Sequence, residues 1–224
     1  MMSRVPEPPA TVVVVAGGDD LDQRLASVVP EHAPVIAADS GVDHALSLGL
    51  RVTTVVGDLD SVSPTGLGAA RAGGADIVVH PEDKDATDLE LALHLAVASA
   101  PAGIVVLGGH GGRADHHLAN LLLLAGPGLA AVAVTAWMGA ALVTVIRHRA
   151  SLRGPVASIV SLFPIHGDVQ GITTSGLAFP LTDEDLPAGT SRGVSNRLAL
   201  ARAEVHVRHG VLVAVQPDAL EELL

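Results

Sequence analysis

Apolar residues fall along the chain in two rhythms. In the first part, short and nearly unbroken apolar runs recur: TVVVVA at 11–16, PVIAA at 34–38, TTVV at 53–56, DIVV at 76–79, GIVVL at 103–107 and AAVAVT at 130–135. A strand covered on both faces has no polar side to show, so such runs predict parallel strands inside a layered domain. Between them lie helical patterns, DHALSLGL, ATDLELALHLAVASA and DHHLANLLLLA. Strand and helix in alternation predict an α/β domain with an open, mostly parallel sheet and flanking helices.

After about residue 147 the helical period stops. VASIVSLFP, DVQGITT, LALARAEVHVRHG and VLVAVQ are short strand candidates separated by Gly and Pro, which predict an all-β C-terminal part. The segment RHRASLRGP marks the boundary, giving an α/β domain over 1–147 and a β domain over 148–224. From Leu118 to Ile146 no residue is charged, a length that could span a bilayer. Gly126-Pro127-Gly128 divides it, so a helix, a turn and two buried strands are expected instead.

Composition narrows the function classes. The formal charge of −11, from 24 acids against 13 bases, argues against a nucleic-acid partner or an anionic membrane surface. With no cysteine, disulfides, thiolate metal sites and cysteine nucleophiles are excluded. Glu7 and early prolines interrupt the N-terminal apolar run, so no export signal is expected and a cytoplasmic location is.

Ligands of open α/β sheets bind beyond the carboxyl ends of the strands. Polar residues gather there: Asp39 in AADSG, Asp58 and Asp60 in GDLDS, the run HPEDKDATD, and GGHGGRADHH. Asp39 is also a plausible helix N-cap, and Asp85 or Thr87 can cap a helix starting near Asp88, with Thr87 and Glu90 spaced as a capping box. If Asp39, Asp58, Asp60, Asp85 and Asp88 converge, their repulsion calls for a counter-charge. Oxygen-only donors favour a magnesium ion that binds through a few carboxylates and substrate phosphates. Lys84 is the only lysine, the other 12 of the 13 bases being arginine, and it stands between two aspartates, as a surface ion pair or as a phosphate contact. GGHGG allows close backbone approach to an anion, Arg113 can fork onto phosphate oxygens, and the following helix presents its N-terminus. It has neither the P-loop ending nor the GxGxxG spacing.

Taken in order, ADSG, GDLDS, KDATDLELAL, GGHGGRADHHLANLLLL, VSLFPIHGDVQGITTSGLAFPL and GVSN resemble the thiamine pyrophosphokinase family, from about Val12 to Val215. The resemblance implies a nucleotide-binding α/β domain joined to a thiamine-binding β-sandwich, acting as a homodimer with composite sites. It implies transfer of the diphosphate of ATP to the hydroxyl of thiamine, giving thiamine diphosphate and AMP with Mg2+. It implies metal ligation by Asp58, Asp60 and Asp88. Nucleotide or reaction-centre positions fall on Asp39, Ser61, Lys84, Asp85, Thr87, Gly111, Gly112, Arg113, Asp115, His116 and Asn120. Thiamine-binding positions fall on Phe179, Ser195 and Asn196.

The chain departs from the family pattern at Ser40, at Ala114, where a bulkier residue is usual, and at Phe179, where many members carry Trp or Tyr. Of the three aromatic residues, Trp137 and Phe163 are expected in the core and Phe179 at the ligand. Asp85, Asp88 and Asp115 are the open alternatives for accepting the hydroxyl proton. His116 and His117 begin an apolar helix, where packing or hydrogen bonding is the simpler role. Two rival readings are a diphosphokinase acting on a pterin alcohol, and a binding module without turnover.

Overall fold

The computed structural model describes residues 10–222, which fall into two compact units. The first runs to Gly109 and takes in Ala131–Ala133; the second holds His110–Ala130 and the chain from Val134 onward.

In the first unit, strands β1 (Thr11–Val15), β2 (Val35–Ala38), β3 (Thr54–Gly57), β4 (Asp76–Val79) and β5 (Gly103–Leu107) form a parallel sheet in the order β4-β3-β2-β1-β5. The continuous apolar runs have the expected consequence at its centre, where Val12 to Val15 are all buried. Edge strand β4 is the exception, with Val79 64% exposed. Helix α1 (Gly41–Ser47) packs on β1 and β2. A second helix, α2 (Pro64–Ala72), begins at Ser63, whose hydroxyl accepts the Gly66 N–H at 2.9 Å, with Pro64 in the first turn. Helix α3 (Asp88–Ala98) lies on β1, β2 and β3 through the buried stripe Leu89, Ala92, Leu93 and Ala96, the spacing of one helical face.

The second unit opens with helix α4 (Ala114–Leu124). Its strands are β6 (Ala133–Met138), β7 (Ala141–Ile146), β8 (Arg149–Arg153), β9 (Ile159–Ser175), β10 (Glu184–Leu186), β11 (Asn196–Arg197), β12 (Arg202–His206) and β13 (His209–Gln216). The sixth apolar run forms β6, which starts later than the run and pairs antiparallel with β7. Because β7 is in turn hydrogen-bonded to β13, the division between units falls earlier than the change of composition near residue 147.

Strand β9 joins two expected strands into one of 17 residues. Its first half pairs with β13 and its last residues with β12, and the bend between them carries His166 and Gly171 in the left-handed region (φ 61° and 64°). One strand serving two pairings closes the sheets on a common core that includes Ile146, Leu162, Ile172, Leu186 and Leu212.

Candidate functional site

At the carboxyl ends of β2 and β3 the backbone turns sharply. Asp39 has φ 47° and Leu59 φ 66°, both left-handed, and non-glycine residues held so are uncommon outside turns and sites. Gly41 brings α1 against β1 so closely that a Cβ would stand 2.1 Å from the Val15 carbonyl oxygen. The Asp39 carboxylate does not cap this helix; the cap position is Ser40, whose side chain makes no cap bond. Asp39 Oδ2 instead accepts the Ser61 hydroxyl, and its Oδ1 is buried with no hydrogen-bond partner among the described residues.

Asp39, Asp58 and Asp88 each place one carboxylate oxygen within 4.8 Å of the others. They come from the ends of β2 and β3 and the first turn of α3, three elements packed side by side. Gly57, at φ 148°, forms the floor: a Cβ there would lie 3.0 Å from Asp88 Oδ1 and 3.2 Å from Asp39 Cβ. Downstream, Asp43 on α1 accepts the Ser63 N–H at 2.9 Å and so anchors the far end of the GDLDS loop.

Lys84 is the counter-charge. Its Nζ lies 2.7 Å from Asp58 Oδ2 and 3.0 Å from Asp88 Oδ1, with the side chain 13% exposed. Burial lowers the Lys84 pKa, but hydrogen bonds to Asp58 and Asp88 outweigh it and hold the ammonium above its ordinary value. The Lys84 hydrogen bond, helped by the Asp60 N–H, holds Asp58 below the usual carboxylate range. Three carboxylates against one ammonium leave a formal charge of −2. Oxygen-only donors, an unpartnered buried carboxylate oxygen and a floor that only glycine leaves open fit a hard divalent cation.

The other acids stand apart from this trio. Asp60 is exposed and donates its N–H to Asp58 Oδ1 at 3.3 Å; Asp85 is exposed beside Lys84. Thr87 is the N-cap of α3, accepting the Glu90 N–H at 3.2 Å, as its spacing predicted.

In the second unit, Gly111 and Gly112 are left-handed (φ 91° and 58°) and lead into α4. Arg113 and Asp115 form a two-point ion pair (3.2 and 2.6 Å), both about two-thirds exposed. That hydrogen bond from Arg113 holds Asp115 at about 2. His116 is exposed, His117 donates its backbone N–H to the Arg113 carbonyl at 3.1 Å, and Asn120 is half-buried on the same helix. α4 keeps only Leu124 buried and leaves Leu118 and Leu122 exposed.

The aromatic site lies within the same unit. A cavity of about 360 Å³ is lined by Leu162, Phe179, Arg192, Val194, Ser195 and Asn196, among others. Phe179 is 68% exposed, whereas Trp137 is buried and Phe163 half-buried on β9, so Phe179 is the exposed aromatic at this cavity. Ser195 is left-handed (φ 59°), and its N–H donates to Ser161 Oγ at 3.0 Å. Arg192, which sequence reasoning did not single out, pairs with Glu184 at this cavity; its only signal was its place just before GVSN. Another cleft, of about 370 Å³ between Val29–Val35 and Gly49–Thr53, opens at the amino ends of β2 and β3, opposite the carboxylates. Parallel sheets place their chemistry at the other end.

Two sequence profiles match the chain in order: "Thiamin pyrophosphokinase, catalytic domain" over residues 25–133 and "Thiamin pyrophosphokinase, vitamin B1 binding domain" over residues 146–212. A protein of Bacillus subtilis named thiamine pyrophosphokinase is 27% identical over 215 residues, 92% of this chain and 98% of that one. The crystal structure of a thiamine pyrophosphokinase from Bacillus subtilis superposes with a TM-score of 0.81 at 27% identity, covering 92% of this chain and 98% of the other. The yeast enzyme's structure, at 16% identity, shares the fold with a TM-score of 0.75, over 97% of this chain and 89% of its own.

Proposed function

The chain belongs to the thiamine pyrophosphokinase family, and from that premise we propose that it transfers the diphosphate of ATP to the hydroxyl of thiamine. The hydroxyl oxygen attacks the β-phosphorus, the bond from that phosphorus to the bridging oxygen of the α-phosphate breaks, and AMP leaves as the hydroxyl proton passes to a protein carboxylate. The observation that carries this reading is the order of the two family segments: the first contains the Asp39, Asp58 and Asp88 cluster, and the second contains the Phe179 cavity.

Asp39, Asp58 and Asp88 are the proposed holders of Mg2+, with Asp60 assigned beside them because its carboxylate follows Asp58 by two residues. An ion there would draw charge off the phosphate oxygens of ATP. Lys84, which a cation on Asp58 and Asp88 would leave free to turn outward, is the proposed phosphate contact. Ser61 and Thr87 keep their neighbours in place, through Asp39 and through the start of α3. Gly111, Gly112, Arg113, His116 and Asn120, at the start of the second structural unit and within the first family segment, are the proposed nucleotide contacts. The Arg113 fork is available at small cost, because exposed ion pairs are worth about 1 kcal/mol or less.

Arg113 holds Asp115 at about 2, which makes it a poor base for the hydroxyl proton. Asp85 and Asp88 remain the assigned alternatives. Phe179 offers a flat apolar face and Ser195 a hydroxyl at the cavity, which suits a heteroaromatic ring bearing nitrogens.

A homodimer with composite sites and a cytoplasmic location belong to the same proposal. The exposed Leu118 and Leu122 on α4 support a second copy as the cover for that face. Among the described residues, no helix is long and apolar enough to cross a membrane.

The testing experiment offers the protein ATP and Mg2+ with thiamine or with a pterin alcohol, and measures AMP. Thiamine-dependent AMP supports the proposal. AMP that depends on the pterin instead, or no AMP with either, overturns it in favour of one of the rival readings.

A further inference from the structure

The carboxamide of Asn196 is committed to protein backbone on both of its ends. Its Oδ1 accepts the Phe179 N–H at 3.0 Å and the Arg197 N–H at 2.8 Å, and its Nδ2 donates to the Phe179 carbonyl oxygen at 2.7 Å. One side chain therefore satisfies both backbone groups of Phe179, as a neighbouring strand would. A carboxamide oxygen has two lone pairs, and both are used. Turning the amide round would set donors against donors, so the three bonds also fix its orientation. The residue is 7% exposed, behind a ring that is 68% exposed.

Asn196 is itself anchored to β9. It stands opposite Val160 in the β9–β11 pairing, and the preceding Ser195 N–H is held by Ser161 Oγ. Leu162 N–H donates to the Gly193 carbonyl at 2.9 Å, and the two backbones are so close that a Cβ on Gly193 would sit 2.2 Å from the Leu162 carbonyl oxygen. The Ala178 N–H reaches the Arg197 carbonyl at 2.9 Å. The segment Gly193–Arg197 is thus fastened along β9, and Phe179 is fastened to that segment through Asn196. A mostly exposed ring has little packing of its own to hold it, so its place over the cavity depends on its backbone.

We propose that Asn196 is a positioning residue for the Phe179 ring, setting the height and tilt at which the ring receives a flat heteroaromatic ligand, and that it does not bind that ligand through its oxygen. This rests on the thiamine reading of the cavity for the identity of the ligand, while the clamp itself is independent of it.

The chain has two phenylalanines, so protein labelled with 4-fluorophenylalanine gives two ¹⁹F resonances, with Phe163 as the internal control. Asn196→Ala is expected to shift and sharpen the Phe179 line and leave the Phe163 line in place. In steady-state kinetics, Asn196→Ala and Phe179→Ala should each raise the thiamine KM about tenfold, the scale of one or two lost hydrogen bonds, with smaller effects on the KM for ATP. The double variant should be no worse than about tenfold, because the second change removes nothing further.

Asn196→Asp keeps the acceptor for both N–H groups but sets a carboxylate oxygen against the Phe179 carbonyl in place of the donor. It should also move the Phe179 line, and it serves if the alanine variant does not fold. An unmoved Phe179 line in a folded Asn196 variant overturns the proposal, as does a double variant about a hundredfold worse. A wild-type Phe179 line that thiamine does not move counts against the thiamine reading alone, and the Asn196 arm then still decides the clamp.

Discussion

Lys84 Nζ stands 2.7 Å from Asp58 Oδ2 and bridges from there to Asp88, occupying the charge position that a divalent cation would take. On the proposed reading, the lysine and a metal ion compete for the same carboxylates. Lys84→Met should bind Mn2+ several-fold more tightly than the wild type in the absence of nucleotide, since a tenfold gain corresponds to only about 1.4 kcal/mol, while turnover falls at least tenfold. Calorimetric titration reads the first and steady-state kinetics the second. Unchanged Mn2+ affinity would remove the competition.

The same ion pair fixes a pH dependence. Asp58 is depressed, so its contribution to stability is present above the ordinary carboxylate value of about 4 and fades as pH falls through the lower folded value. Lys84 is raised, so its contribution is present below the ordinary lysine value of about 10 and fades as pH rises through the higher folded value. The difference in Tm between the wild type and Lys84→Met should therefore be level from about pH 5 to about pH 9. A difference that changes sharply near neutrality would contradict this assignment of charge.

Gly57→Ala tests the floor of the cluster. The new methyl would crowd Asp88 Oδ1 and Asp39 Cβ at a φ that L-residues resist, so stability should fall by about 1–3 kcal/mol and metal affinity with it. Denaturant melts and Mn2+ titration measure the two losses separately. Wild-type metal affinity in the folded variant would show that the ion sits elsewhere.

Parallel strands were legible in the sequence because β1 beyond Thr11 and all of β2 are buried and so contain no polar alternation. Helix α2 was not, since PTGLGAARA buries only Gly66 and Ala70 and has little apolar contrast. The stretch of β9 around His166 and Gly167, where the bend begins, reads as a break in sequence, yet the chain continues into a second pairing. Asp39, Asp58 and Lys84 were marked as candidates from motif alone. That Asp39 rather than Asp60 closes the trio depends on how neighbouring strands lie, which no local pattern carries.

Asp115→Asn separates two roles for that acid. If Asp115 only holds Arg113 between turnovers, kcat should stay within about threefold and the KM for ATP should hold or fall, because a freed exposed Arg gains about 1 kcal/mol or less. A hundredfold loss of kcat with folding intact would return Asp115 to the proton-accepting role.

The most direct measurement of the central claim follows phosphorus. With ATP, thiamine and Mg2+, ³¹P NMR should show the β- and γ-phosphorus leaving ATP together and appearing in thiamine diphosphate, while the α-phosphorus appears in AMP at the same rate. A β-phosphorus that stays on the nucleotide as ADP, or consumption of ATP that does not depend on thiamine, would contradict diphosphate transfer by this protein.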